Sequence, residues 1–129
     1  MYSFSVNVNK SFDDAIEQVT AALKDEGFGV LTDIDFAGTI KKKLDIDRPA
    51  YRILGACNPP LANQAVNADV NAGVLLPCNV VVRDNEDGSC AVVFMDPMAV
   101  INLSDNEAVA KVAHEANDRL QRVKAALEA

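Results

Sequence analysis

The chain has no run of about 18 or more apolar residues, so no segment reads as a membrane span. Its first residues, Met1-Tyr2-Ser3-Phe4-Ser5-Val6-Asn7, carry no basic region followed by an apolar stretch, so they do not read as a secretory signal. These two absences lead to the expectation of a cytoplasmic protein. Histidine occurs once and the three cysteines form no Cys-x-x-Cys pair, which argues against a tetrahedral zinc site. There is no Gly-rich phosphate loop, no paired-carboxylate signature and no Gly-x-Ser-x-Gly elbow. No cofactor is indicated.

Positive charge is also scarce. Twelve Lys and Arg stand against nineteen Asp and Glu, a net charge of −7. An acidic chain repels phosphate backbones, so nucleic acid is a poor partner. An odd number of cysteines without a signal segment argues against structural disulfides, and leaves a transient or redox-linked Cys57–Cys78 pair open. Apolar residues make up 50% of the 129, the globular norm, and a chain of this length folds as one domain spanning residues 1–129.

Tyr2 to Val8 alternates apolar and polar, the period of a strand with one buried face. Ser11 then caps a helix whose stripe is Phe12, Ile16, Val19 and Leu23, and Gly27 stops it. Phe28 to Ile34 is a second strand. Phe36, Ile40 and Leu44 share one face of a short helix, with Lys41, Lys42 and Lys43 around the other side and Arg48-Pro49 as its end. Tyr51 to Ala56 is a third strand. Asn58 is an N-cap with Pro59 at the first helical position, and that helix runs to about Ala72, with Ala62, Ala65, Val66, Ala68 and Val70 as its small apolar residues.

Val74 to Arg83 and Ser89 to Met95 are strands joined as a hairpin through Asp84 to Gly88. Pro77 cannot donate to a ladder, which puts the start of the fourth strand at an edge or bulge. Ser104 caps the last helix, with Glu107 completing a capping box and Val109, Val112, Ala116, Leu120, Val123 and Leu127 as its stripe. The order is β-α-β-(α)-β-α-β-β-α. It predicts an α+β two-layer sandwich, a mixed or mainly antiparallel sheet with helices on one face.

With these elements in place, four segments resemble the prokaryotic domain-of-unknown-function family 302. They are Gly27-Phe28-Gly29-Val30-Leu31-Thr32, the lysine segment Thr39–Leu44, Gly55–Pro60 with Leu61-Ala62, and Leu75-Leu76-Pro77-Cys78-Asn79-Val80. The resemblance covers nearly the whole chain. It implies a small two-layer α/β domain that self-associates, expected here as a homodimer. It implies no activity. The family pattern puts cysteine-bearing segments where Cys57 and Cys78 stand, and Cys90 lies outside it.

The two segments end in the same dipeptide beside proline, Cys57-Asn58-Pro59 and Pro77-Cys78-Asn79. Cys57 stands one residue before an N-cap, where a helix dipole favours a thiolate. Against this, free cysteine is often just a small buried hydrophobe. Cys78 shares a strand face with Val80 and Val82, which argues for burial. Asn58 is most simply a cap, and Asn79 satisfies backbone groups or donates to a ligand.

Three readings follow. The first is a small-molecule or sulfur-species site lined by Cys57, Asn58, Pro59, Pro77, Cys78 and Asn79, with Cys57 as the attacking and Cys78 as the resolving thiol in an active version. The second is a non-catalytic self-association or partner-binding domain. The third is soft-metal handling of the Cu(I) type, with Met95 or Met98 as added ligands. His114 lies off the apolar stripe among the spacings Glu115–Arg119 and Asp118–Arg122, which reads as a salt-bridged solvent face. The lysine cluster reads the same way.

Overall fold

The fold is that of a computed structural model, which describes residues 1–101 and 103–128. Five strands, β1 (Ser3–Val8), β2 (Gly29–Asp35), β3 (Tyr51–Cys57), β4 (Cys78–Asp84) and β5 (Cys90–Met95), form one sheet in the order β1-β5-β4-β3-β2. Every neighbouring pair is antiparallel. The helices are α1 (Phe12–Asp25), α2 (Phe36–Leu44), α3 (Pro59–Ala68), α4 (Pro97–Ile101) and α5 (Glu107–Glu128). The two-layer expectation holds, with the sheet wholly antiparallel.

Alternation along the strands decides the faces. Phe4, Val6 and Val8 of β1 stand opposite Phe94, Val92 and Cys90 of β5, and Val80 and Val82 of β4 continue the same face. Against it pack Val19 and Leu23 of α1 and Leu120 and Val123 of α5, all of them fully buried. Burying a Leu or Val side chain stabilises by about 1.5–3 kcal/mol, so this apolar layer holds the sheet to the helices.

Local signals place most element ends. Ser11 Oγ accepts from the Asp14 amide at 3.3 Å, and Gly27 takes φ +82, the left-handed stop that a side chain resists. Four boundaries differ from the sequence reading. The helix α2 ends at Asp45, itself left-handed at φ 55, ahead of Arg48-Pro49. The helix α3 stops at Ala68, because the chain turns extended at Asp69, and a separate 3-10 turn spans Ala72–Leu75. Val70, beyond its end, is exposed, and so is Val66 within it. The strand β4 starts at Cys78, directly after the cis Leu76–Pro77 peptide, and lies at the centre of the sheet, so Pro77 precedes the ladder instead of marking a sheet edge. The cap of α5 is Asn106, whose Oδ1 accepts from the amides of Ala108 at 2.9 Å and Val109 at 3.2 Å, while Ser104 Oγ accepts from the Asn106 amide. Asn106 wins because its Nδ2 also donates to Ala68 O at 2.9 Å, tying α5 to the end of α3.

The helix α2 departs from its companions. The Phe36 ring lies against Tyr51 with centroids 5.2 Å apart. Tyr51 precedes Arg52, which pairs with Val82 of the helix-covered face, so Tyr51 belongs to the other side. No residue of α2 is buried.

Candidate functional site

The antiparallel register of β3 and β4 sets Ala56 opposite Cys78, so Cys57 lies one residue further along, where β3 hands over to α3. Asn58 Oδ1 accepts from the Leu61 amide at 3.2 Å, and its backbone oxygen accepts from Ala62 at 2.9 Å. Asn58 is 7% exposed, the one buried polar residue among those described. Pro59 follows it at the exposed start of α3, where its missing N–H leaves nothing unsatisfied.

Cys57, Asn58 and Cys78 line one cavity of about 40 Å³, closed by Phe28, Leu61 and Leu76. A second, almost wholly apolar cavity of about 60 Å³ lies beside it. The two share Leu76, Cys78, Val112 and Ala116. Met95, Pro97 and Val100 line the far side of the second. Outward, Asn58, Leu61 and Val112 also border an open groove of about 470 Å³ rimmed by Gln64, Lys111, Glu115 and Arg119. The three spaces thus lie side by side between α3 and α5, each sharing lining residues with the next.

The thiols differ in character. Burial pushes the Cys78 thiol up to about 11, and the neighbouring Cys57 adds to the shift, so Cys78 is a neutral S–H at physiological pH. Cys57 is half-buried. Cys90 stands apart. Its sulfur donates to Lys10 O at 3.6 Å, and burial followed by Asp84 and Asp87 pushes its thiol up as well.

Each remaining candidate has a definite place. Asn79 follows Cys78 and is exposed on the other face of the sheet, opposite Gly55, so the two Cys-Asn dipeptides do not share one site. Pro77 packs toward that other face. A Cβ at Gly55 would come within 2.9 Å of Pro77 Cγ and collide with Thr32, so only glycine lets β2 and Pro77 close over β3 there. Met95 borders one cavity and Cys57 the other, with Cys78 between them, while Met98 borders neither. Among the described residues no three His, Cys, Asp or Glu side chains gather as metal ligands.

His114 is exposed on α5 and lines none of these spaces. Its neighbours form the ion pairs of a solvent face. Arg119 Nε donates to Glu115 at 2.9 Å, as its spacing predicts, but Arg122 reaches across to Glu26 at 2.8 Å instead of pairing with Asp118. Lys41 pairs with Asp45 at 2.8 Å and Asp47 at 3.2 Å, and Lys42 and Lys43 are exposed. Sequence reasoning missed Phe28, Leu76 and the rim residues Gln64, Lys111 and Arg119. Nothing in their local pattern marks them, since only the packing of α5 against α3 brings them to the crevice.

No described helix is long and apolar enough to cross a membrane. A comparison with curated proteins gives no match. Among solved structures, the chain is similar to an uncharacterised conserved DUF302 protein from Bacillus stearothermophilus, with 27% identity, a TM-score of 0.88 and coverage of 98% of both chains. The family model described as domain of unknown function DUF302 matches residues 4–127, and with the same α+β architecture in the solved relative, the chain belongs to the DUF302 family.

Proposed function

We propose that this domain binds a small, soft or apolar molecule, a sulfur species among them, in the crevice between α3 and α5, with Cys57 as its reachable thiol. One observation carries the reading: Cys57, the buried cap Asn58 and Cys78 line the same cavity, which shares Asn58, Leu61 and Val112 with a polar-rimmed groove and Leu76, Cys78, Val112 and Ala116 with an apolar pocket. Ligand pockets for drug-sized molecules run to about 300–1,000 Å³, so the enclosed part of this crevice takes only a few heavy atoms. Its apolar walls favour an uncharged occupant, because a charge without a buried partner pays a large desolvation penalty there. Cys78, held as S–H, supplies a weak donor and a polarisable surface rather than an attacking thiolate.

Native-state thiol labelling tests this reading. With a small neutral reagent, Cys57 is expected to react in the folded protein, and Cys78 and Cys90 only after unfolding. A Cys57→Ser variant removes the native-state reaction, and a Cys78→Ser variant keeps it. Xenon under pressure, a small apolar probe, is expected to shift the backbone amide resonances of Cys78, Ala113 and Ala116. Labelling of Cys57 no faster than that of Cys90, together with unmoved resonances, would show the crevice to be closed core packing.

A further inference from the structure

We propose that the groove bordered by Asn58, Lys111 and Arg119 is a head-group subsite, and that the ligand of the crevice is a small carboxylate with a short apolar tail. The proposal rests on the crevice reading above and adds to it the group by which the ligand is recognised. Asn58 carries the inference. It is 7% exposed, and its Oδ1 is taken by the Leu61 amide at 3.2 Å, which fixes which end of the side-chain amide is the nitrogen. That nitrogen, Nδ2, meets no acceptor among the described residues, although buried donors ordinarily have one. It faces Gly27. A Cβ built on Gly27 would lie 2.9 Å from Asn58 Nδ2 and 3.4 Å from Arg119 Nη1, and all three residues border the groove. A bare glycine, left-handed at φ +82, therefore keeps open the space between an amide donor and a guanidinium donor. Two donors that touch one such position are close enough for a single carboxylate to bridge with bonds of about 2.9 Å.

Charge decides the class of head. The chain carries −7, yet Lys111 and Arg119 stand at this groove against Glu115 alone. Glu115 is already paired with Arg119 Nε at 2.9 Å, and the nearby Glu26 carboxylate with Arg122 at 2.8 Å. Arg119 Nη1 also donates to Glu26 O at 3.0 Å, which leaves Nη2 without an acceptor among the described residues. Lys111 is exposed and forms no ion pair among them. A cation is repelled here, and a neutral head leaves these donors to water. The start of α3 offers no cradle of backbone amides for a phosphate, because Pro59 and Pro60 have no N–H and Asn58 already takes the amides of Leu61 and Ala62. Side-chain donors remain, and they suit a carboxylate.

The walls decide the tail. Leu61 and Val112 border both the groove and the cavity of Cys57 and Cys78. A head on Arg119 and Lys111 sets the chain behind it against these two side chains, with its last carbons toward Cys57. The charge stays at the wet rim and only the uncharged end is desolvated. A cavity of about 40 Å³ limits that end to very few carbons.

The test is a resonance titration of the isotope-labelled full chain with sodium butyrate and with n-butanol, at ionic strength held constant with sodium chloride. Butyrate is expected to move the Asn58 side-chain NH2 and the Leu61 and Val112 amides saturably, and butanol to bind at least about tenfold more weakly. Lys111→Glu is expected to weaken butyrate at least about tenfold and to leave butanol unchanged. Lys42→Glu makes the same charge change on exposed α2 and is expected to alter neither. Arg119→Gln is expected to act as Lys111→Glu does. Melting curves establish that each variant is folded, and exposed Lys111 decides alone where Arg119→Gln does not fold. No saturable shift with butyrate, equal affinity for butyrate and butanol, or butyrate binding that survives Lys111→Glu overturns the carboxylate proposal, while xenon shifts at Cys78 and Ala116 would still uphold the crevice. Butyrate shifts confined to Asn58 and Lys111, with Cys78 and Ala116 unmoved by butyrate, butanol or xenon, overturn the crevice reading and the tail with it.

Discussion

Cys78 couples one residue's chemistry to the stability of the whole chain. Its thiol rises from an ordinary 9.0 to about 11 because burial disfavours the thiolate. Between those two pH values the unfolded chain has released a proton that the native chain still holds. The unfolded state then binds fewer protons, so stability is fully present below about pH 9 and is lost as pH climbs toward about 11. The loss from this site is on the order of 2–3 kcal/mol. Urea unfolding at pH 8 and at pH 10.5 checks it. The decline is expected to shrink in Cys78→Ala and to persist in part in Cys90→Ala, since Cys90 shifts in the same direction. An undiminished decline in Cys78→Ala would mean that Cys78 is not the buried thiol responsible. The same physical link lets Cys78 line an apolar cavity, since a residue that stays uncharged does so without penalty.

The helix α3 depends on its first residue. Asn58 accepts from the Leu61 amide inside the protein, so its loss leaves a buried donor unpaired as well as removing a cap. Asn58→Ala is expected to cost about 1–2 kcal/mol in thermal or urea unfolding, with the neutral cap of Asn58→Ser retaining part of it, and an unchanged midpoint in Asn58→Ala would sink the assignment. This cap was legible in the sequence because Asn58-Pro59 is a local signature, decided by backbone groups within three residues. The cap of α5 was not. Ser104 and Glu107 have the spacing of a capping box, yet Asn106 takes the role by also reaching Ala68 O, thirty-eight residues away. The end of α3 escaped for a related reason. The small apolar run to Ala72 favours a longer helix, but the chain turns back at Asp69 to close the crevice with the Ala72–Leu75 turn. The helix α2 shows the converse. Its Phe36, Ile40, Leu44 stripe is written for burial, yet no residue of it is buried in the single chain.

At the scale of the molecule, the same uneven distribution of charge governs solubility and association. A copy carrying −7 repels another at low ionic strength. Salt screens that repulsion within a Debye length of about 10 Å at 0.1 M and leaves apolar contact intact. Raising sodium chloride from about 20 mM to 0.5 M is therefore expected to weaken that repulsion, read as a fall in the second virial coefficient by static light scattering. The crevice and the row of Ile34, Ile53, Val81 and Val93 lie on opposite faces of the sheet.

By itself the sequence determined the five strands and the four longer helices, though neither α4 nor the Ala72–Leu75 turn, because strand alternation, helix stripes and the caps at Ser11 and Asn58 are properties of residues within one or two turns of each other. It also determined the class of fold, since amphipathic helices and half-apolar strands in this order have a two-layer solution. Tertiary structure decided what the residues do together. Cys57 and Cys78 lie twenty-one positions apart and share a cavity only because β3 and β4 pair in one register. That register sends Asn79 to the opposite face from Cys78 and aligns Ile34, Ile53, Val81 and Val93 across four strands. Strand order and register are set by the summed burial of contacts distant in the chain, an energy that no local window contains.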